Sequence, residues 1–204
     1  MSDPGPSHSV PNGPLRAVTL NGSPSEPSRS GAVLHFLTQA LVRAGISVSR
    51  VAVRELPPDA LLFGGASGQA TLQPALAEVA HAHGVVIATP VYKAAYSGVL
   101  KAFLDLLPEQ ALAGKVVLPV VVAGTPTHAL ALEYALKPVL AALGVRWVTD
   151  GVFVPQGSVQ VGPVPGMAAD IEARLDDAAR QLVSALNLLH RDAGAGRGRI
   201  SQAA

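Results

Sequence analysis

The sequence predicts an α/β fold: a three-layer sandwich in which a five-stranded parallel sheet of order 2-1-3-4-5 carries helices on both faces. Three observations predict it. Short, Val-rich apolar segments alternate with segments of helical period through the middle of the chain. The apolar segments show little polar alternation, as strands buried on both faces do. Right-handed crossovers between parallel strands then leave few topologies.

The elements follow in order. Residues 16–21 (RAVTLN) form a strand that ends at a Gly-Ser-Pro turn. Residues 31–44 place Val33, Leu34, Leu37, Leu41 and Val42 on one helical face, and Gly45 sits at the stop. Residues 47–53 alternate as a second strand, and 71–81 form a helix with Leu72, Leu76 and Val79 inward. Residues 85–89 (VVIAT) read as a third strand closed by Pro90, and 99–107 as a helix stopped at Pro108. Residues 116–123 make the fourth strand, 130–143 a helix stopped at Gly144, 147–154 the fifth strand and 167–190 a long last helix. This alternation fits the flavodoxin-like order, in which ligands sit at the carboxyl ends of the strands.

Composition bounds the function. The chain has 204 residues, 49% of them hydrophobic, which is ample for one domain with a sizeable core. A net charge of +1 argues against a nucleic-acid binder, whose affinity rests on neutralising phosphates. The chain has no cysteine, which excludes disulfides, thiolate metal sites and Cys nucleophiles. No apolar run approaches the ~20 residues of a membrane span, so no membrane partner is expected. Residues 1–13 lack the basic and apolar regions of a secretory signal, and the cytoplasm is the expected compartment. They read as a flexible tail, as do the Gly/Ala/Arg-rich residues 191–204, which leaves a domain of 14–190. His81 and His83 are two apart, a spacing that sends helical side chains to different faces, and no metal site is expected.

Three loops converge at one sheet edge. The first, 21–30 (NGSPSEPSRS), combines Ser23, Ser28 and Ser30 with Arg29 and a helix N-terminus. Hydroxyls, free amides and the positive end of the helix dipole make an anion site, and Arg29 can add a charge-assisted bond. Neither a Walker loop nor a Gly-x-Gly-x-x-Gly fingerprint is present, so a monophosphate suits the loop. The alternative is that Ser28 or Ser30 only caps the helix and Arg29 is a solvated charge. The second loop, 89–98 (TPVYKAAYSG), flanks two alanines with Tyr92 and Tyr96 and admits a flat ring close to the backbone; alternatively the tyrosines merely pack the loop. The third, 123–128 (AGTPTH), places Gly124 and Thr125 for close approach and His128 to bond a ligand carbonyl or cap the next helix.

The segments GSPSEPSRS, ATPVYKAAYSGVLKAFLDLLPEQAL, GKVVLPVVVAGT and LEYALKPVLAALG, in that order, closely resemble the NADPH-dependent FMN reductases of the SsuE type. Those are the reductase halves of two-component alkanesulfonate monooxygenases, and the methanesulfonate-linked MsuE relatives are similar. The resemblance runs from about residue 17 to about 189. It implies hydride transfer from NADPH to FMN, and reduced flavin supplied to a partner monooxygenase in sulfur metabolism. It also implies an FMN site: Ser23, Ser28, Arg29 and Ser30 at the phosphate, Pro90, Val91, Tyr92, Lys93 and Ser97 beside the ring, and Gly124, Thr125 and His128 in the third loop. No side chain is expected to act as a catalytic group, because the flavin carries the chemistry. Tyr134 in LEYALKPVL matches a tyrosine that the family places in a π-helix at a tetramer interface, a feature tied to flavin acting as a departing substrate. A homotetramer or dimer is the implied assembly. Two other readings share the phosphate loop: an FMN-containing quinone or azo reductase, and a non-catalytic flavin electron carrier. The latter is usually strongly acidic, unlike this chain.

Overall fold

The computed structural model describes residues 14–63, 66–162 and 166–200. The expected tail at 1–13 lies outside them. Strands β1 (Arg16–Asn21), β2 (Ser47–Ala52), β3 (Gly84–Tyr92) and β5 (Val116–Ala123) pair in parallel in the order β2-β1-β3-β5. Beyond β5 lie β6 (Trp147–Val148) and β7 (Val152–Pro155), both parallel to it. This is the expected 2-1-3-4-5 arrangement, with the fifth strand in two pieces. A short β4 (Ala95–Tyr96) adds antiparallel to the end of β3, and β8 (Val159–Gln160) pairs with β9 (Gly166–Met167) away from the main sheet.

The three layers follow from the period of two along each strand. Val85, Ile87, Val117 and Val121 face one buried cluster, together with Leu72 and Val79 of α3 (Ala66–His81) and Leu100 and Phe103 of α4 (Gly98–Leu104). Val86, Ala88, Leu118, Val120 and Val122 face the other. That second cluster is closed by Val33, Leu34, Leu37 and Leu41 of α1 (Arg29–Arg43) and by Ile171, Leu175 and Leu182 of α6 (Ala169–Ile200). Gly45 and Gly144 end their helices with φ of +80° and +85°, the left-handed geometry expected at those stops.

Several boundaries differ from expectation, each for a tertiary reason. Strand β3 runs through Pro90 to Tyr92. The Ala88 carbonyl accepts from Gly22 on the β1 side, so two residues later the missing N–H of Pro90 points past the end of β1 and breaks no ladder bond. The fifth strand breaks opposite Pro119, which likewise has no N–H to give. Val117 pairs with Val148 and Val120 with Val152, so the outer strand carries one extra residue there, a bulge. Gly151 in that bulge has a φ of +82°, and a Cβ on it would meet the Pro119 carbonyl at 3.0 Å. A short α2 (Pro58–Phe63) precedes α3, which begins before the expected start at 71 and passes through Pro74. The predicted helix over 130–143 is composite. A 3-10 turn (Pro126–Ala129) leads to a π-helix (Leu132–Leu136) and then α5 (Lys137–Ala142). Met167 belongs to β9, and α6 continues past His190 to Ile200.

Candidate functional site

The first loop leaves β1 under tight constraint. Asn21 is buried, and its side-chain oxygen accepts the Ser23 amide at 3.1 Å; the Ser23 hydroxyl accepts the Ser25 amide at 3.2 Å. These Asx- and Ser-type turns curl the chain before it reaches α1. Gly22 packs against α4: a Cβ there would lie 2.9 Å from Leu100 Cβ. Ser28 is the N-cap of α1, and its hydroxyl accepts the Gly31 amide at 3.0 Å. The capping alternative therefore describes Ser28 correctly, although its own O–H proton remains to donate. The Ala32 amide is bonded to the Ser28 carbonyl at 3.0 Å, which leaves the amides of Arg29 and Ser30 as outward donors of the first turn. Ser30 is buried beneath them. Arg29 is anchored rather than freely solvated: its Nε donates to the Val159 carbonyl of β8 at 3.1 Å, and its two terminal nitrogens remain for an anion.

The second loop is a hairpin. Tyr92 pairs with Ala95 and Val91 with Tyr96, and the two turn residues Lys93 and Ala94 both have positive φ, 48° and 65°. Such a two-residue turn normally takes Asn-Gly or Gly-Gly. Holding L-residues there costs roughly 1–2 kcal/mol each, so the surroundings must enforce it. Thr89 supplies part of that enforcement: fully buried, its Oγ1 accepts the Ser97 amide at 3.1 Å. The tyrosines separate. Tyr96 is half-buried against the core, and burial raises its phenol above the usual range. Tyr92 is 49% exposed at the strand end and stands free. Val91 is buried, Pro90 is half-buried, and Lys93 is exposed on the turn.

Ser97 has a structural role as well. It is buried, its hydroxyl donates to the Gly22 carbonyl and accepts the Leu100 amide at 3.2 Å, and it is the N-cap of α4. Its one O–H proton is given to Gly22, so Ser97 ties the first loop to the second. Asn21 and Thr89 do comparable work and were not singled out from the sequence. An Asn ahead of Gly-Ser is a turn signal, but Thr89 has no local signature.

In the third loop Gly124 and Thr125 are exposed at the end of β5, and the Gln156 amide presses on the glycine: a Cβ there would lie 2.9 Å from Nε2. Gln156 comes from the loop after β7, outside the three loops read from the sequence. His128 lies in the 3-10 turn, and its Nδ1 is buried without a partner. An orphaned ring nitrogen beside an open loop is the kind of group a ligand atom satisfies.

The structure thus brings the three loops to adjacent strand ends. A cleft of about 380 Å³ runs behind the first loop between α1 and the β1–β2 edge, and Asn21, Glu26, Ser28 and Arg50 help line it. It reaches none of the second-loop residues, so a flat ring against Tyr92 would lie outside it. The π-helix packs beside β4, and Tyr134 on it is 79% exposed. Among the described residues, no group of three or more His, Asp or Glu side chains is placed to hold a metal ion, and no helix is long and apolar enough to cross a membrane.

Comparison with known proteins gives the chain's family. The model of the NADPH-dependent FMN reductase family matches residues 15–159. The FMN reductase (NADPH) of Escherichia coli (strain K12) is 41% identical over 174 residues, covering 85% of this chain and 91% of that protein. Among solved structures, an NADH:FMN oxidoreductase (EmoB) in its apo form superposes with a TM-score of 0.76 at 37% identity, covering 84% of this chain and 89% of that one. A Streptococcus pneumoniae flavodoxin, at 12% identity and a TM-score of 0.58, shares the fold. Loops, sheet order and relatives agree: the chain belongs to the NADPH-dependent FMN reductase family.

Proposed function

We propose that the protein reduces FMN with NADPH and delivers the reduced flavin to a flavin-dependent monooxygenase, as the SsuE-type resemblance implies. The carrying observation is the junction made by Ser97. It holds an anion-ready helix start, with the free amides of Arg29 and Ser30, beside a strained hairpin that leaves Tyr92 exposed. The residues suit the nucleotide. A phosphate dianion matches the first turn of α1 and the Arg29 guanidinium. A planar ring matches the exposed face of Tyr92 and the small Ala94 and Ala95. The orphaned Nδ1 of His128 suits a ring carbonyl or N–H.

When bound, the flavin supplies the hydride-accepting chemistry. The chain's own part is placement: the first loop anchors, the hairpin aligns one edge, and the open side admits a nicotinamide. Because hydride transfer needs reacting atoms within ~3–3.5 Å, that placement controls rate. The exposed Tyr134 and Leu130 around the π-helix support an interface between copies, a tetramer or dimer, next to the ring loop. Desulfonation of alkanesulfonates or methanesulfonate in the cytoplasm is the setting this reading assigns to the partner.

The test is NADPH and NADH oxidation by the pure protein with and without FMN, FAD and riboflavin. Turnover that depends on added FMN is expected. A protein that keeps yellow flavin through dialysis and reduces quinones without added FMN would support a prosthetic-group quinone reductase instead. Failure to oxidise either nicotinamide with FMN present would leave an electron carrier.

A further inference from the structure

The phosphate loop carries a carboxylate that phosphate binding does not need. Within 21–30 the only charged residues are Glu26 and Arg29, so the loop itself is electrically neutral. Glu26 lies two residues before the cap of α1 and lines the cleft behind the loop. Its Oε2 sits 3.5 Å from Nε of Arg54, in the 3-10 turn Val53–Glu55 that follows β2. The Glu26 and Arg54 side chains are 52% and 32% exposed. A pair so open to water adds little to stability. Its effect falls on what enters the loop. A fixed negative charge repels a dianion, and the Arg54 guanidinium beside it is occupied by that same carboxylate.

We propose that Glu26 is a counter-charge that weakens the grip of the phosphate loop on FMN, both by direct repulsion and by holding Arg54 away from the phosphate. This rests on the FMN reductase reading and adds a residue-level reason for the nucleotide to leave after reduction. The arrangement acts on the phosphate and not on the ring, so it separates FMN from riboflavin, which has the same ring and no phosphate. It is electrostatic and solvent-exposed, so salt damps it over a Debye length of ~10 Å at 0.1 M.

Three variants test it: Glu26→Gln, Arg54→Gln and the double variant, each titrated with FMN and with riboflavin by flavin fluorescence at low and high salt. Glu26→Gln is expected to tighten FMN binding about 3- to 10-fold at low salt, the scale of one charge against a dianion at several ångströms in a water-like dielectric. Riboflavin affinity stays within about twofold, and the gain shrinks at high salt. In turnover, KM for FMN falls and kcat falls with it as release slows. Arg54→Gln is expected to weaken FMN binding by exposing the bare carboxylate, and the double variant to recover most of that loss. If the parent binds FMN and Glu26→Gln leaves its affinity unchanged, or shifts riboflavin equally, the counter-charge role is overturned while the reductase reading stands. If the parent binds neither flavin, both readings fall.

Discussion

Replacing Ser97 with alanine removes one oxygen from the junction of two loops and leaves every apolar contact in place. The hydroxyl caps α4 by accepting the Leu100 amide at 3.2 Å and donates to the Gly22 carbonyl, and the residue is only 1% exposed. Loss of a Ser N-cap costs about 0.5–2 kcal/mol. A buried carbonyl left without its donor adds about 1–3 kcal/mol. Gly22 and Ser97 are both buried, so a total of about 2–4 kcal/mol is expected. For a chain of this size that lowers Tm by several degrees, at about 2–4 °C per kcal/mol. Urea denaturation with an unchanged m-value is the primary assay. FMN titration is the second, because a first loop untied from α4 should also hold phosphate less well. A stability loss below about 0.5 kcal/mol would refute the reasoning, since it would mean that neither bond survives in solution. Loss of stability with intact FMN affinity would show that Ser97 supports α4 without shaping the phosphate loop.

Arg29→Ala is expected to weaken FMN binding by about 1.5–3 kcal/mol, the range for a hydrogen bond to a charged group, and calorimetric titration measures it; unchanged affinity removes Arg29 from the anchor. Tyr134→Ala is expected to shift the oligomeric state or leave flavin bound after purification, read by light scattering and the flavin spectrum; parent-like results in both remove the interface role. His83 sits at the opposite end of the sheet, its ring 6.2 Å from that of His190. Its pKa is lowered, first by burial and then by His190, Lys115 and Arg16. The folded state therefore resists protonating it, and the unfolded chain binds the proton first. Stability is complete above about pH 6.5, the unfolded value, and falls as pH drops through the lower folded value. Denaturation midpoints between pH 7.5 and 5 should show that fall, and His83→Gln should flatten it; an unchanged slope assigns the acid sensitivity to other groups.

The strands and their burial were legible because an apolar run without polar alternation has one economical solution, a sheet covered on both faces. That argument placed 16–21 and 116–123 at their observed bounds and located the helix stops at Gly45 and Gly144. The grouping of serines, an arginine and a helix start in the first loop was legible because it needs only sequence proximity. What the sequence hid depends on partners far along the chain. Whether Pro90 ends a strand depends on where β1 stops, and whether the fifth strand is continuous depends on Pro119 in its neighbour. The Lys93-Ala94 turn has no glycine to betray it; Thr89 and the β4 pairing impose it. The resemblance puts Ser97 beside the flavin ring, and only the tertiary structure shows that its hydroxyl also reaches the carbonyl of Gly22, 75 residues earlier. Local chemistry determined which residue types stand at the sheet edge. Which of their atoms still face outward was decided by the long-range hydrogen bonds that consume the others.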